Sequence, residues 1–318
     1  MKNSSEASID RDIDLLDIVK LLWSEKVTIV ATTVAVATLS VFFALSIPNT
    51  YVSSALLAPA DDERGALDGL MSRYGGLATI AGTGIVGGND SSKEQYALEL
   101  IKSRGFVGEF VERRGILPDL FAARDWEPAS KAIRYDNEVY NPENGEWVRD
   151  VSPPLKAKPS PQEAYSEFMR LLSIENDLQT GFVNLSIEHV SPVVAERWVR
   201  WLIEDINEKV RQQDVEEASR SIEYLERQIS GTPLADLQAI FFELIQSQTE
   251  TIMLAEVRRE YVFKTLDAAV VPEKKSKPNR ALICILGAFF GVIMGITFAY
   301  WRRIRLRANL LKRSSRNM

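Results

Sequence analysis

The sequence has one cysteine and one histidine in 318 residues, and each scarcity excludes a class of chemistry. A lone cysteine, Cys284, cannot form a disulfide within the chain, so the folded part must be stable through its core alone. His189 is the only residue available for Ser-His-Asp or Cys-His catalysis, or for a histidine-based metal site. It lies between a predicted strand and a predicted helix, where a structural role is more usual than a catalytic one.

Motifs that bind nucleotides are missing or out of context. The pattern G-x-x-x-x-G-K-[ST] does not occur, which excludes a P-loop. The stretch "GTGIVG", Gly82 to Gly87, matches G-x-G-x-x-G, but "NDSSKE" separates it from the next helix and no β-branched strand precedes it. A loop is therefore predicted there. No G-x-S-x-G is present either. We predict a binding or scaffolding protein, not an enzyme, with no catalytic residue, cofactor or metal. Paired carboxylates stay open, because acids are many and none has a distinctive spacing.

Two long runs have no formal charge. Residues 27–47 and residues 281–301 each contain 21 uncharged residues. As helices they would be about 31 Å long, which matches the hydrocarbon thickness of a bilayer. The runs are therefore predicted to be transmembrane helices, and they divide the chain into five parts: segment 1–26, helix 27–47, domain 48–280, helix 281–301 and tail 302–318.

Charge near the predicted spans indicates their orientation. The tail after Trp301 carries seven basic residues and no acid, so it is expected to stay in the cytoplasm. Two spans place both termini on that side and residues 48–280 on the other. The total of −6, with −2 from residues 1–26 and +7 from residues 281–318, leaves −11 for residues 27–280. An acidic outer domain argues against nucleic acid as a partner.

The pattern of the outer domain predicts an α+β fold. A strand is expected at 51–58, a helix from 91, an irregular excursion or short strands at 118–161, and a helix from Pro161. "LSIENDLQTGFVNLSIEH" predicts a β-hairpin. Long helices follow at 192–229 and 232–262, and the β-rich "YVFKTLDAAVVP" returns the chain toward the second span. We expect the first strand to pair with the last in a mixed, membrane-proximal sheet.

The first long helix carries an apolar stripe with coiled-coil-like spacing. Its members are Val215, Ala218, Ile222, Leu225 and Ile229. A stripe of this length favours self-association into a homo-oligomer, because one chain offers few partners for it. Intramolecular packing of the two long helices as a hairpin explains it equally well.

Three glycines recur every fourth residue in the second predicted span. Gly287, Gly291 and Gly295, continued by Ala299, occupy one helix face. In water each glycine would cost a helix about 1 kcal/mol relative to alanine. In lipid, small residues let helix backbones approach closely, so this face is predicted to pack against another helix. The first span, a neighbouring subunit and another membrane protein are all open as partners.

Several segments, taken in order, resemble the polysaccharide co-polymerase family, the Wzz-type chain-length determinants. The segments are "IDLLDIVKLLWSEK", "TYVSSALLAP", "LATIAG", "ALELIKSRGFVGEFV" and the block from "MLAEVRREYVFKTLDAAVVP" to "GAFFGVIMG". They cover about half of the chain, and the match over 115–190 is loose. The two-span architecture agrees independently with the resemblance.

The resemblance implies an inner-membrane regulator of Gram-negative bacteria that sets the modal length of lipopolysaccharide O-antigen. It implies a homo-oligomer that acts with the O-antigen polymerase and the growing glycan, has no enzymatic activity, and lacks the tyrosine-kinase domain of larger relatives. A co-polymerase for enterobacterial common antigen, capsule or exopolysaccharide is the alternative within the family. From other classes, a membrane-anchored glycan-active enzyme and a simple two-span tether stay open.

Overall fold

The computed structural model describes residues 26–60, 91–177, 179–231 and 235–314, and the side chains of all these except 91, 92 and 303–314. The N-terminal segment 1–25 and the "GTGIVG" stretch lie outside the described residues. The chain divides into two compact units, each described by itself below. One unit is Asn49–Ser276, and the other joins the chain ends, Met1–Pro48 and Lys277–Met318.

The unit of the chain ends contains two apolar helices. Helix α1 is Lys26–Ser46, and helix α8 is Arg280–Ser314. By length and composition, Lys26–Ser46 and the Arg280–Arg302 part of α8 are able to cross a membrane. Most of their large apolar side chains are exposed, among them Phe42, Phe43, Phe289 and Phe290. Exposed side chains of this kind are what lipid-facing helices require, since the surrounding solvent is itself apolar.

A four-stranded sheet forms the centre of the Asn49–Ser276 unit. Its strands are β1 (Tyr51–Pro59), β6 (Leu172–Asn176), β7 (Val183–His189) and β8 (Phe263–Asp267), in the order β6-β7-β1-β8. The α+β class is confirmed, and so are the β6–β7 hairpin and the pairing of the first strand with the last. The expectation of a mixed sheet was wrong, because all three pairings are antiparallel.

The short turn between β6 and β7 explains why these two strands pair in the antiparallel direction. The strands β6 and β7 are joined by a short turn, which permits only the antiparallel arrangement. At that turn Gly181 has φ of +72°, and the Asp177 carboxylate accepts hydrogen bonds from the Gln179 N–H (2.9 Å) and the Thr180 hydroxyl (2.8 Å). Residues of β7 alternate strictly between buried and half-buried positions, as a strand with one face on the core requires.

Helices cover one face of this sheet and supply most of the core. In chain order they are α2 (Ser91–Ile101), α3 (Arg104–Arg114), α4 (Leu117–Ala122), α5 (Pro161–Leu171), α6 (Pro192–Gly231) and α7 (Ala235–Val257). Trp198, Phe110 and Phe168 are fully buried, with ring centroids 5.4 Å apart for Phe110–Phe168 and 6.0 Å apart for Phe168–Trp198. Aromatic rings of this size dominate the energetics of a core that no disulfide reinforces.

Capping residues set where two of these helices begin and end. The Ser160 hydroxyl accepts from the Glu163 N–H, and the Glu163 carboxylate accepts from the Ser160 N–H, which is a complete capping box at the start of α5. Helix α3 ends at Gly115 in the left-handed conformation, with φ of +63°. Helix α7 ends at Val257, five residues earlier than the sequence pattern predicts.

The excursion between α4 and α5 is made of two small hairpins. Strands β2 (Ala123–Glu127) and β3 (Ala132–Tyr135) form one, and β4 (Tyr140–Asn141) and β5 (Glu146–Trp147) form the other. This confirms the prediction of short strands within residues 118–161.

A buried asparagine ties α6 to the edge strand of the sheet. The Asn207 side chain is 4% exposed. Its carbonyl oxygen accepts from the Val262 N–H (2.7 Å) and the Phe263 N–H (2.9 Å), and its amide donates to the Phe263 carbonyl (3.1 Å). One side chain thus satisfies three backbone groups at the beginning of β8. Without it these groups would be buried and unpaired, because among the described residues β8 has a strand neighbour on one side only.

Asn207→Leu is expected to lower the free energy of unfolding by at least about 3 kcal/mol, since each buried polar group left unpaired costs about 1–3 kcal/mol. Urea unfolding of the detergent-solubilised protein, followed by tryptophan fluorescence, measures this. Gln246→Leu, which replaces an exposed amide on α7, is the control and should stay within about 0.5 kcal/mol of wild type. Equal stability of the two variants would contradict the assignment.

Candidate functional site

The single histidine has a structural position. His189 is 4% exposed, and its ring lies 5.1 Å from that of Trp198. Its Nδ1 accepts from the Ser191 N–H (3.0 Å), which leaves the proton on Nε2 to be donated to the Asp119 carbonyl (3.0 Å). Burial lowers the pKa of His189, because the charged imidazolium is disfavoured in the core. Both ring nitrogens are therefore engaged by the backbone, and neither faces a ligand.

The buried carboxylate of Asp205 is neutralised by two arginines. Its oxygens lie 2.5 Å from Nη2 of Arg113 and 2.5 Å from Nη2 of Arg114, at the end of α3. Arg114 also contacts Glu204 at 3.3 Å, and its guanidinium lies 4.9 Å from the Trp201 ring centroid. The bond to Asp205 raises the pKa of Arg114. These two charge-assisted contacts join α3 to α6 through Asp205.

Metal ligands are not assembled in the described part of the chain. Among residues 26–60, 91–177, 179–231 and 235–314, no group of three or more His, Cys, Asp or Glu side chains has an arrangement that would hold an ion.

The glycine face of α8 lies against α1. A Cβ added to Gly291 would lie 2.9 Å from the Thr33 Cα and 3.2 Å from the Thr33 carbonyl oxygen. At Gly295 it would lie 2.5 Å from the Thr32 hydroxyl, and at Gly287 it would overlap the side chain of Ser40. Real Cβ atoms do not occur at such distances, so only glycine permits this approach of the two backbones.

Small and hydroxyl side chains form the opposing face of α1. The Thr32 and Thr33 hydroxyls donate to the Ile29 carbonyl at 2.9 and 2.7 Å. The hydroxyls of Thr32 and Thr33 are thus satisfied within their own helix, as apolar surroundings require. Ala299, the fourth predicted member of the face, is fully buried. The geometry thus brings all four predicted residues to the covered side of α8. That this face matters for function stays a prediction.

The predicted stripe of α6 faces α7 in part. Ala218 is buried, while Val215, Ile222, Leu225 and Ile229 are half-buried. Helices α6 and α7 contact each other, so the hairpin alternative accounts for some of the stripe. An open groove of about 520 Å³ follows the same helices and includes Tyr224, Leu225, Leu244 and Gln248. Self-association through this stripe stays a prediction.

Two parts of the chain match models of known protein families. Residues 11–113 match the model of the family Wzz, "chain length determinant protein". This stretch is about a third of the chain, and over it the chain is similar to the Wzz-type chain-length determinants. The predicted resemblance is thereby confirmed, and the coarse function that it supports is that of a chain-length determinant. Residues 236–304 match a second model, GNVR, described as a G-rich domain on putative tyrosine kinase.

Two solved structures of polysaccharide co-polymerases are similar to the chain at low sequence identity. A full-length bacterial polysaccharide co-polymerase has 12% identity and a TM-score of 0.40, with coverage of 93% of this chain and 99% of that one. A fragment of WzzB, the polysaccharide co-polymerase from Salmonella Typhimurium, has 10% identity and a TM-score of 0.27, with coverage of 72% and 100%. No curated protein matches the chain. Both TM-scores are low, so the resemblance rests on the sequence match over residues 11–113.

Sequence reasoning missed the buried polar residues that organise α6. Asn207 lies on the helix face of Ile203, Ile206 and Val210, whereas Asp205 lies on the face of the buried Trp198 and Leu202. A polar residue on the apolar face of a predicted helix was the available signal. The adjacent arginines at the end of α3 were the second signal, since buried charges are paired.

Stability is expected to fall as the pH drops below about 6.5, through His189. The lowered pKa means that the unfolded chain binds a proton near pH 6.5 while the folded chain does not, so stability present at pH 7 is lost toward the folded pKa. The slope is at most about 1.4 kcal/mol per pH unit for one proton. Urea unfolding between pH 7 and pH 5 measures it. Because no other histidine exists, His189→Gln should flatten the curve in this range, and an unchanged slope would refute the assignment.

Gly291→Leu is expected to preserve membrane insertion but to alter the glycan length distribution, because a branched side chain cannot fit within 2.9 Å of the Thr33 backbone. Membrane fractionation and gel analysis of the glycan measure the two effects. Val292→Leu is the control, since Val292 is 40% exposed and the variant keeps an aliphatic side chain at that position. Wild-type glycan length in Gly291→Leu at normal expression would argue against a functional packing face.

Proposed function

We propose that this protein sets the modal chain length of lipopolysaccharide O-antigen as a non-enzymatic, oligomeric partner of the membrane polymerase. The observation that carries the proposal is the chain-length-determinant match over residues 11–113, on a chain in which two membrane-length helices flank one folded unit. O-antigen is the polymer that the sequence resemblance favours.

The proposed setting is the inner membrane, with residues 1–26 and 302–318 in the cytoplasm and residues 48–280 in the periplasm. The basic stretch after Trp301 supports this orientation, because positively charged flanks stay in the cytoplasm. The aromatic core around Trp198 would stabilise this periplasmic domain, which has no disulfide.

We propose contacts with partners at two surfaces, the groove along α6 and α7 and the exposed face of α8. The groove along α6 and α7 and the stripe from Val215 to Ile229 would serve contact between subunits. The outward face of α8, with Phe289 and Phe290 more than 60% exposed, would serve contact with the polymerase within the bilayer. The engaged states of His189 and Asp205 support a regulator in preference to an enzyme.

A co-polymerase for capsule or exopolysaccharide is the second candidate. The match of residues 236–304 to GNVR, a domain described on putative tyrosine kinases, favours it. In this version the protein would act with a kinase carried by another chain.

Deletion of the gene is expected to abolish the modal band of lipopolysaccharide while polymer persists. The reason is that a length regulator changes where polymerisation stops and leaves sugar transfer intact. Gel analysis of lipopolysaccharide from the deletion strain and from a plasmid-complemented strain measures this, and complementation should restore the band.

Other outcomes separate the candidates. Complete absence of polymer would point to a synthetic enzyme. An unchanged lipopolysaccharide ladder with shortened capsule or exopolysaccharide would support the second candidate. Unchanged length in all of these glycans would overturn chain-length control and leave a structural tether.

A further inference from the structure

A groove lies between α3 and residues 154–161, the segment that leads into α5 and is called the strap below. Its volume is about 680 Å³, which falls in the usual range of small-molecule sites, about 300–1,000 Å³. One wall is formed by α3 and its end, including Gly108 and Glu112, and the other by the second small hairpin and residues 154–161. Neither His189 nor Asp205 lines it.

One arginine holds the strap in place. Arg149 donates to the Ala157 carbonyl through Nε (2.7 Å) and to the Lys156 carbonyl through Nη2 (2.8 Å). Its Nη2 also lies 2.7 Å from the Glu163 carboxylate, which is the same carboxylate that caps α5. The pKa of Glu163 is lowered by the Ser160 N–H and by Arg149, so this acid stays ionised and keeps its ion pair with Arg149. The wall of the groove is therefore preorganised.

Aromatic rings line the groove on the hairpin side. Tyr140 and Trp147 lie with ring centroids 5.0 Å apart, and both are only half-buried. Trp147 is supported from behind by Phe121 at 6.4 Å, and Tyr140 by Tyr135 at 5.9 Å. The faces of such rings are electron-rich and attract polarised C–H groups.

Glycine keeps the opposite wall open. A Cβ added at Gly108 or Gly115 would meet none of the residues that the structure describes within 4 Å. Pro154 and Pro159 stiffen the facing strap, because their φ angles are fixed. A rigid site that loses little entropy on binding suits a ligand with many weak contacts.

The polar groups of the groove are spread along its rim. Lys156 and Lys158 lie on the strap and are exposed, and the Glu112 carboxylate faces them from α3. The Arg149–Glu163 pair is internally neutral, so the rim carries a net +1 within a region of −11. This local surplus of ammonium donors favours a ligand rich in oxygen acceptors.

We propose that this groove binds a short oligosaccharide segment of the polymer whose length the protein controls; the inference rests on the proposed function. A pyranose ring has a C–H face for Tyr140 and Trp147 and a rim of hydroxyls for Lys156, Lys158 and Glu112. An amphipathic protein helix would need a continuous aliphatic surface, and the large aliphatic side chain exposed on the strap is that of Leu155.

Binding of oligosaccharides to the full-length, detergent-solubilised protein tests the proposal. The probe is the polysaccharide purified from the wild-type strain and cut by mild acid to a few repeat units, titrated by calorimetry. Lys156→Ala with Lys158→Ala, and separately Trp147→Ala, should each weaken binding about five- to tenfold. Trp147→Phe keeps an aromatic face and should stay near wild type. Lys264→Ala, an exposed lysine on β8, is the matched control.

The same variants are then compared for glycan length in cells. Weaker binding with a shifted modal length, in variants that unfold at the wild-type urea midpoint, supports the proposal. The lysine double variant and Trp147→Phe keep the test decisive if Trp147→Ala is poorly folded. Wild-type binding by the double variant overturns the site, and so does shifted length with unchanged binding, which assigns the groove to a protein partner. Failure of the deletion to change any glycan refutes the proposed function instead.

Discussion

The pairing of β1 with β8 is the contact on which the rest of the folded unit depends. It joins Pro59 to Phe263, about 200 residues apart in the chain. Just outside it, the Ser276 N–H donates to the Thr50 carbonyl at 2.8 Å. The unit therefore begins and ends at one place, as a domain inserted between two membrane helices must. Closing so long a loop costs entropy that grows only slowly with length, so a modest set of contacts suffices.

Helix α6 supplies those contacts through buried polar groups. Asn207 bonds the backbone at the start of β8, and Asp205, two residues earlier, pairs with the arginines that end α3. A single helix thus connects the edge of the sheet to the helical layer. Apolar packing alone is tolerant of sliding, whereas hydrogen bonds and ion pairs of this kind specify one register. The same helix then extends away from the sheet to Gly231 and carries the stripe proposed for subunit contact.

The two units use opposite means to hold helices together. In the Asn49–Ser276 unit, large side chains such as Trp198 and Phe168 fill the space between elements. On the face that α8 turns toward α1, glycine replaces large side chains. The two backbones therefore come into direct contact at Gly291 and Thr33. The difference has a physical cause. Burying apolar surface is favourable only against water, so helices surrounded by lipid associate through close packing.

Periodicity in the sequence determined the elements of this protein. The charge-free runs predicted α1 and α8, strict alternation predicted β7, and the spacing after Ser191 predicted a helix that the structure extends over Pro192–Gly231. These features are local, because a helix or strand repeats every few residues and the spacing of its apolar residues shows which face is buried. Family resemblance at the two ends predicted the coarse function for the same reason, since those segments are continuous in sequence.

Only the tertiary structure decided which elements meet. Outside the β6–β7 hairpin, nothing in the sequence made the sheet antiparallel, and nothing paired Asp205 with arginines some 90 residues away. The glycines of α8 indicated a contact but not its partner, because a close-packing face fits any helix with a small surface. The groove beside Trp147 was equally invisible: its walls come from α3 and from a strap that an arginine holds, and such a cavity exists only once both are folded.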